Sequence, residues 1–202
     1  MIAQSKLPVM TPREYLEWEE SQPIKHEYIN GKVYAMTGGT IPHNDVALNL
    51  ASALKSHLRG KGCKVQMADS KVGISEKGPF HYPDIMVSCD QRDRQARQVI
   101  YHPCLIVEVL SPSTERVDRG LKFRHYRRID TLTEYVLIDP DRISIECYRL
   151  NERGKWELTL YSIDETTPID TETVVEFTSV NFSCPISTIY EDVVFPQDGE
   201  ED

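Results

Sequence analysis

The sequence predicts an α/β domain built on a mixed β-sheet. Three observations point there. Strand-like segments fill the middle of the chain, and helical segments precede and interrupt them, an order suited to helices packed on a sheet. The stretch from His43 to Arg59 repeats Ala47, Leu50, Ala51, Leu54 and Leu58 at helical spacing, so one face is apolar. Cys104–Leu110 reads CLIVEVL, an apolar run of strand length with a single acid inside it. The chain has 202 residues, enough for one domain, which we place at residues 1–195 with an acidic tail at 196–202.

Each element follows from local chemistry. Thr11-Pro12-Arg13-Glu14 is a helix start: Thr11 caps, Pro12 fits the first helical position, and Glu14 completes a capping box. That helix runs to about Glu20. Asn30-Gly31 between His26–Ile29 and Lys32–Met36 signals a hairpin. Gly38-Gly39 and Pro42 mark a loop before the His43–Arg59 helix, which Gly60 and Gly62 end. Strands are expected at Cys63–Ala68, Lys71–Ile74 and Tyr82–Cys89, then a charged loop from Asp90 to Gln98. Ser111-Pro112-Ser113-Thr114 stops the CLIVEVL strand and starts a helix over Glu115–Arg128. Glu134–Ile138, Ile143–Leu150 and Trp156–Tyr161 read as a meander. A strand near Val174–Phe177 and a helical turn near Ile186–Tyr190 finish the acidic end.

Composition narrows the function. The net charge is −9, but all 23 Lys and Arg lie in residues 1–155, against 20 Asp and Glu there. Residues 156–202 carry 12 acids and no Lys or Arg. A mildly basic body is compatible with an anionic partner, while the acidic end reads as a solvated tail. No apolar run approaches the ~20 residues of a membrane span, and the N-terminus shows no secretory pattern, so no membrane partner is expected. The five cysteines form no CxxC pair, so neither a zinc site nor a disulfide framework is expected, and a reducing cytoplasm is the simplest home.

Glu108 is the most informative residue, a carboxylate in the middle of a buried strand. Such a charge needs a cation, either a metal or an arginine, unless the strand lies at a sheet edge and the acid faces water. Asp84 follows Pro83 at the start of the apolar Ile85-Met86-Val87. Two carboxylates on neighbouring strands, with water, suit a hard divalent cation such as Mg²⁺. The Glu115–Arg128 helix carries Arg116, Arg119, Lys122, Arg124, Arg127 and Arg128, a cluster able to meet phosphates. Read blandly, it is an exposed salt-laced helix in which Asp118 and Lys122 form a surface pair worth ~0.3–0.5 kcal/mol.

Pro83-Asp84 and the later Glu108-Val109-Leu110-Ser111-Pro112-Ser113 resemble the PD-(D/E)XK nuclease superfamily, and more closely its bacterial Uma-type group of putative restriction endonucleases. The resemblance also rests on the Glu27 to Met36 hairpin, His43, Asp118-Arg119-Gly120-Leu121-Lys122 and Glu134-Tyr135-Val136-Leu137-Ile138-Asp139-Pro140. It covers roughly residues 10–195. It implies a restriction-endonuclease-like sheet of four to five strands flanked by helices, with Asp84 and Glu108 holding Mg²⁺ or Mn²⁺. It implies DNA as the partner, and a homodimer. The superfamily's lysine, two residues after the second acid, is here Leu110; Lys122 is the candidate replacement. Glu27 is either a further catalytic acid or a solvent-facing hairpin charge, and Asp69 is a weaker acidic candidate. His43, Arg116 and Arg119 are candidates for phosphate contact, with a purely structural helix-start role the alternative for His43. The leading expectation is a metal-dependent endonuclease. The rivals are a non-catalytic nucleic-acid-binding or assembly protein on a degenerate nuclease core, and a hydrolase of a small substrate. No nucleophile elbow, P-loop or HExxH supports a different named enzyme.

Overall fold

A computed structural model describes residues 9–162 and 173–196. Nearly all of the expected 196–202 tail therefore lies outside the described residues. Helix α1 (Pro12–Glu19) starts as its sequence dictates: Thr11 Oγ1 accepts from the Glu14 amide at 3.3 Å, and Glu14 Oε2 accepts from the Thr11 amide at 2.7 Å. Strands β1 (His26–Ile29) and β2 (Lys32–Ala35) form the Asn-Gly hairpin, with both turn residues at positive φ. Helix α2 (Ile41–His57) begins two residues before the expected His43. Pro42, read as loop, lies in its first turn, where its missing N–H costs nothing, and Thr40 provides the cap.

Strands β3 (Lys64–Met67), β4 (Lys71–Gly73), β5 (Phe80–His81), β6 (Ile85–Ser88), β7 (Val99–Ile100), β8 (Leu105–Val109), β9 (Glu134–Asp139), β10 (Ser144–Leu150) and β11 (Trp156–Ser162) make two sheets. One runs β2-β1-β5-β4-β7, the other β11-β10-β9-β8-β6-β3. The second is mixed, because β8 and β9 are parallel and every other neighbouring pair in it is antiparallel. It has six strands where four to five were expected. Strands β12 (Val174–Phe177) and β13 (Phe182–Pro185) form a separate hairpin, followed by α5 (Ile186–Ile189).

Two departures from the expected elements shape the site. The expected Tyr82–Cys89 strand is broken at Tyr82-Pro83-Asp84, so β5 belongs to one sheet and β6 to the other. Pro83 has no N–H to give to a ladder, and the break leaves Asp84 at the junction of the two sheets. The expected helix Glu115–Arg128 is three pieces: α3 (Glu115–Val117), a π-turn over Asp118–Lys122, and α4 (Phe123–Tyr126).

The six-stranded sheet is covered on both faces. Val46, Leu50 and Leu54 of α2 pack against Ile85, Val107 and Val136. Tyr126, Ile129 and Leu132 cover Met86, Ile106 and Leu137 on the opposite face. The alternation along β8 sends Val107 and Val109 to α2, and Ile106 and Glu108 to the π-turn side.

The cysteine expectation is overturned. Cys63 and Cys89 form a disulfide, with Cα atoms 4.0 Å apart. The reason is register: β3 and β6 pair Lys64 with Ser88, which brings the flanking cysteines side by side although 26 residues separate them in sequence. Spacing along the chain carries no trace of that. Cys104 Sγ lies 4.0 Å from Cys89 Sγ and remains a thiol. No helix among the described residues is long and apolar enough to cross a membrane.

Candidate active site

Three segments deliver acids to one cleft of about 720 Å³, and a fourth acid stands behind it. Asp84, Glu108, Asp118, Lys122 and His43 line it. Asp84 arrives through the strand break, one step beyond the Ile85–Val107 pair, so it lies beside Glu108. Its Oδ2 accepts from the Val109 amide at 2.7 Å, which ties the two acid-bearing segments together. Glu108, 2 % exposed, stands on the sheet face beneath the π-turn. Glu27 enters from β1, also buried.

Lys122 is the centre of the cluster. Its ammonium lies 2.9 Å from Asp118 Oδ1, 3.2 Å from Glu108 Oε1 and 3.4 Å from Glu27 Oε1, and the residue is 6 % exposed. A surface helical pair is therefore not what this lysine makes. In a regular α-helix residues 118 and 122 would also share a face, but the π-turn widens the winding and turns both of them inward. Burial opposes the charge on Lys122, yet the three carboxylates outweigh it and hold the ammonium well above its ordinary pKa. Glu108 moves the other way. Burial and the nearby Asp118 and Asp84 push its carboxyl up, against the pull of Lys122 and the Tyr126 hydroxyl, which donates at 2.7 Å.

Glu27 is the best-compensated acid. Burial raises it, but Lys122, His81 and the Tyr82 amide together bring it down to about 2. His81 Nδ1 stands 3.1 Å from Glu27 Oε2, and its Nε2 stands 2.9 Å from His125 Nδ1. Glu27 is thus neither solvent-facing nor free; it orients Lys122. A carboxyl with a depressed folded pKa binds fewer protons than in the unfolded chain between about 2 and 4.5. Its stabilisation is present above about 4.5 and is lost as pH falls through 2. Glu27→Gln is expected to flatten the slope of unfolding free energy across that window, measured by urea melts; an unchanged slope would show that Glu27 is not held by charge.

His43, in the first turn of α2, places Nε2 3.4 Å from Asp84 Oδ2. Burial lowers its pKa, but the hydrogen bond and charge of Asp84 raise it further, for a net increase. Arg116 is exposed on α3 and Arg119 is drawn aside by Glu115 at 2.9 Å and by Glu146. Neither lines the cleft. Asp69, the weaker candidate, is exposed and pairs with Lys25. Asp118, read from sequence as a helical partner of Lys122 and as part of the family-like Asp118–Lys122 stretch but not as a site acid, is the one that sequence reasoning underrated. Its place four residues before Lys122 made it look like an ordinary helical pair.

The donor set fits a hard divalent cation. Asp84, at the junction of the sheets, and Glu108, on β8, offer carboxylate oxygens side by side in the cleft. Asp118 Oδ1 is buried, with its contact to Lys122 off the hydrogen-bonding direction. Among the described residues no three His, Cys, Asp or Glu side chains converge on one ready cage. The two side chains that could take part in holding such an ion are Asp84 and Glu108, a pair of the size Mg²⁺ takes when water completes its shell.

A family profile described as a putative restriction endonuclease, Uma2, matches residues 12–185. The chain is 38% identical over 198 residues to the uncharacterised protein slr1290 of a Synechocystis strain, across 96% of this chain and all of that one. It is 31% identical to a second uncharacterised Synechocystis protein, sll1609, across 79% of this chain and 91% of that one. Its fold matches a crystal structure from Anabaena variabilis described as a putative nuclease belonging to DUF820, with a TM-score of 0.71 and 16% identity, covering 92% of this chain and 99% of that one.

Proposed function

The chain belongs to the Uma2 family of putative restriction endonucleases, and from that membership and the cleft's geometry we propose that it is a metal-dependent endonuclease cutting DNA phosphodiester bonds. The observation that carries the proposal is the Lys122 ammonium at 3.2 Å from Glu108. The superfamily pattern calls for a lysine two residues after the second acid, and Leu110 there is buried in the core. Lys122 brings the missing charge from the helix layer instead.

Asp84 and Glu108 would hold Mg²⁺ or Mn²⁺. Such an ion supplies Lewis acidity toward the phosphoryl oxygen and lowers the pKa of a bound water. Lys122 stabilises negative charge building on the phosphate in the transition state. Glu27 and Asp118 keep that ammonium protonated and aimed. Tyr126 fixes the Glu108 carboxylate by its 2.7 Å hydrogen bond. His43 orients Asp84 and stands at the cleft wall, where its imidazolium can meet a phosphate. Exposed Arg116 supplies a weaker contact to the DNA backbone.

The protein would act on DNA in the cytoplasm, as a homodimer. Reduction of Cys63–Cys89 there leaves the four-pair β3–β6 ladder in place. Plasmid nicking with Mg²⁺ or Mn²⁺ tests the proposal. The wild-type protein is expected to nick only with metal, and Asp84→Ala to lower the rate by at least ~10²-fold, the scale of losing one electrostatic contributor to the transition state. DNA binding without metal-dependent nicking would return the reading to a nucleic-acid-binding protein on a degenerate nuclease core, and nicking untouched by Asp84→Ala would overturn the site proposed for it.

A further inference from the structure

Strand β11 closes one side of the six-stranded sheet, and no strand pairs with its outer edge among the described residues. It is seven residues long, about 24 Å of open main chain at ~3.4 Å per residue. Proteins blunt such edges with short strands, lysines, prolines or bulges. The other edges of the two large sheets are blunted: β3 is short, starts at Lys64 and is tied to β6 by the disulfide, β2 starts at Lys32, and β7 has two residues. The β11 sequence, Trp-Glu-Leu-Thr-Leu-Tyr-Ser, has one charge and no proline.

The strand also carries an apolar surface. Leu158 and Leu160 are 53% and 54% exposed, and two-residue spacing puts them on one face with Trp156. That face is continuous with the core. Leu158 pairs across to Tyr148, and both Tyr148 and Trp156 pack on Phe123.

We propose that β11 pairs antiparallel with β11 of a second copy of this chain, on a twofold axis at Thr159. The sequence is self-complementary about that point. Leu158 falls opposite Leu160 of the partner subunit, and Leu160 opposite Leu158 of the partner subunit, so the exposed leucines of the two chains pack side by side. Thr159 meets Thr159 of the partner subunit, a favourable cross-strand pair. Glu157 falls opposite Tyr161 of the partner subunit, so no like charges oppose each other. An unrelated strand has no need of this symmetry, whereas a twofold contact requires it.

The arrangement sets the distance between sites. Leu160, Glu146, Leu137 and Glu108 form one cross-strand row, so the leucine patch and Glu108 lie on the same sheet face. From β8 to its copy is seven strand spacings, about 34 Å. That is close to one turn of B-DNA. This last consequence rests on the nuclease reading; the pairing itself does not.

Sedimentation velocity of the full chain, with circular dichroism and thermal melting, tests the pairing. The wild type is expected to be dimeric with a melt that rises with protein concentration, and the Leu158→Lys/Leu160→Lys variant to be monomeric at the same concentrations, with an unchanged circular dichroism spectrum and a melt independent of concentration. Thr159→Cys is expected to give a disulfide-linked dimer, mapped to that position by mass spectrometry, because directly opposed residues have Cα atoms ~4.5–5.5 Å apart, within disulfide reach. A monomeric wild type overturns the proposal. So does a dimer that survives both lysines, or one that Thr159→Cys fails to cross-link. Sedimentation does not depend on cleavage, so failure of either reading leaves the other standing.

Discussion

Lys122→Ala is expected to destabilise the protein by about 3–5 kcal/mol, the scale of breaking a buried ion pair, and to abolish metal-dependent nicking. The ammonium is the one cation within reach of three buried acids, and its loss leaves Glu27, Glu108 and Asp118 to repel one another. Mg²⁺ should restore more stability to this variant than to the wild type, because a divalent ion replaces the missing charge. Lys122→Arg should not recover nicking: a planar guanidinium cannot sit as a compact charge among three carboxylates. Urea melts with and without Mg²⁺, beside nicking rates taken where the variant is folded, read both effects. A stability loss of only a few tenths of a kcal/mol with nicking intact would reduce Lys122 to a surface helical charge.

Glu108→Gln is expected to leave the fold in place and lower nicking by at least ~10²-fold. Glutamine keeps the shape and can still accept from Tyr126 and Lys122, so packing around β8 is retained. It cannot offer the negative charge a hard cation needs. Isothermal titration should show Mg²⁺ binding weakened in this variant and in Asp84→Ala alike. Wild-type metal affinity in Glu108→Gln would remove Glu108 from the site.

Much of this arrangement was legible in the chain because its signals are local. The Thr11 capping box, the Asn30-Gly31 turn, the α2 stripe and the acid inside Leu105–Val109 each act over a few residues, and each produced the expected element. The Pro83-Asp84 step before an apolar strand marked Asp84 in the same way, and the family resemblance added Lys122. What stayed hidden depends on pairing between distant segments. The β3–β6 register that joins Cys63 to Cys89 has no local sign, nor does the division of β5 and β6 between two sheets. Glu27 left two readings open for the same reason. Whether a hairpin acid faces water or the core is decided by His81 and Lys122, 54 and 95 residues away in the numbering.

The π-turn at Asp118–Lys122 acts as a phase shift in the helical winding. One surplus residue per turn rotates everything upstream by about 100° relative to an unbroken α-helix. Gly120 sits inside that turn with open space where a Cβ would be, so packing does not hold it there. Deleting it would let the segment relax to α-helical winding. Tyr126 and Ile129, anchored in the core, would keep the downstream half and Lys122 in place, and Asp118, then three residues before the lysine, would still share its face. The lysine would keep all three acids. The wide turn thus absorbs one surplus residue without carrying a charged group out of the clamp.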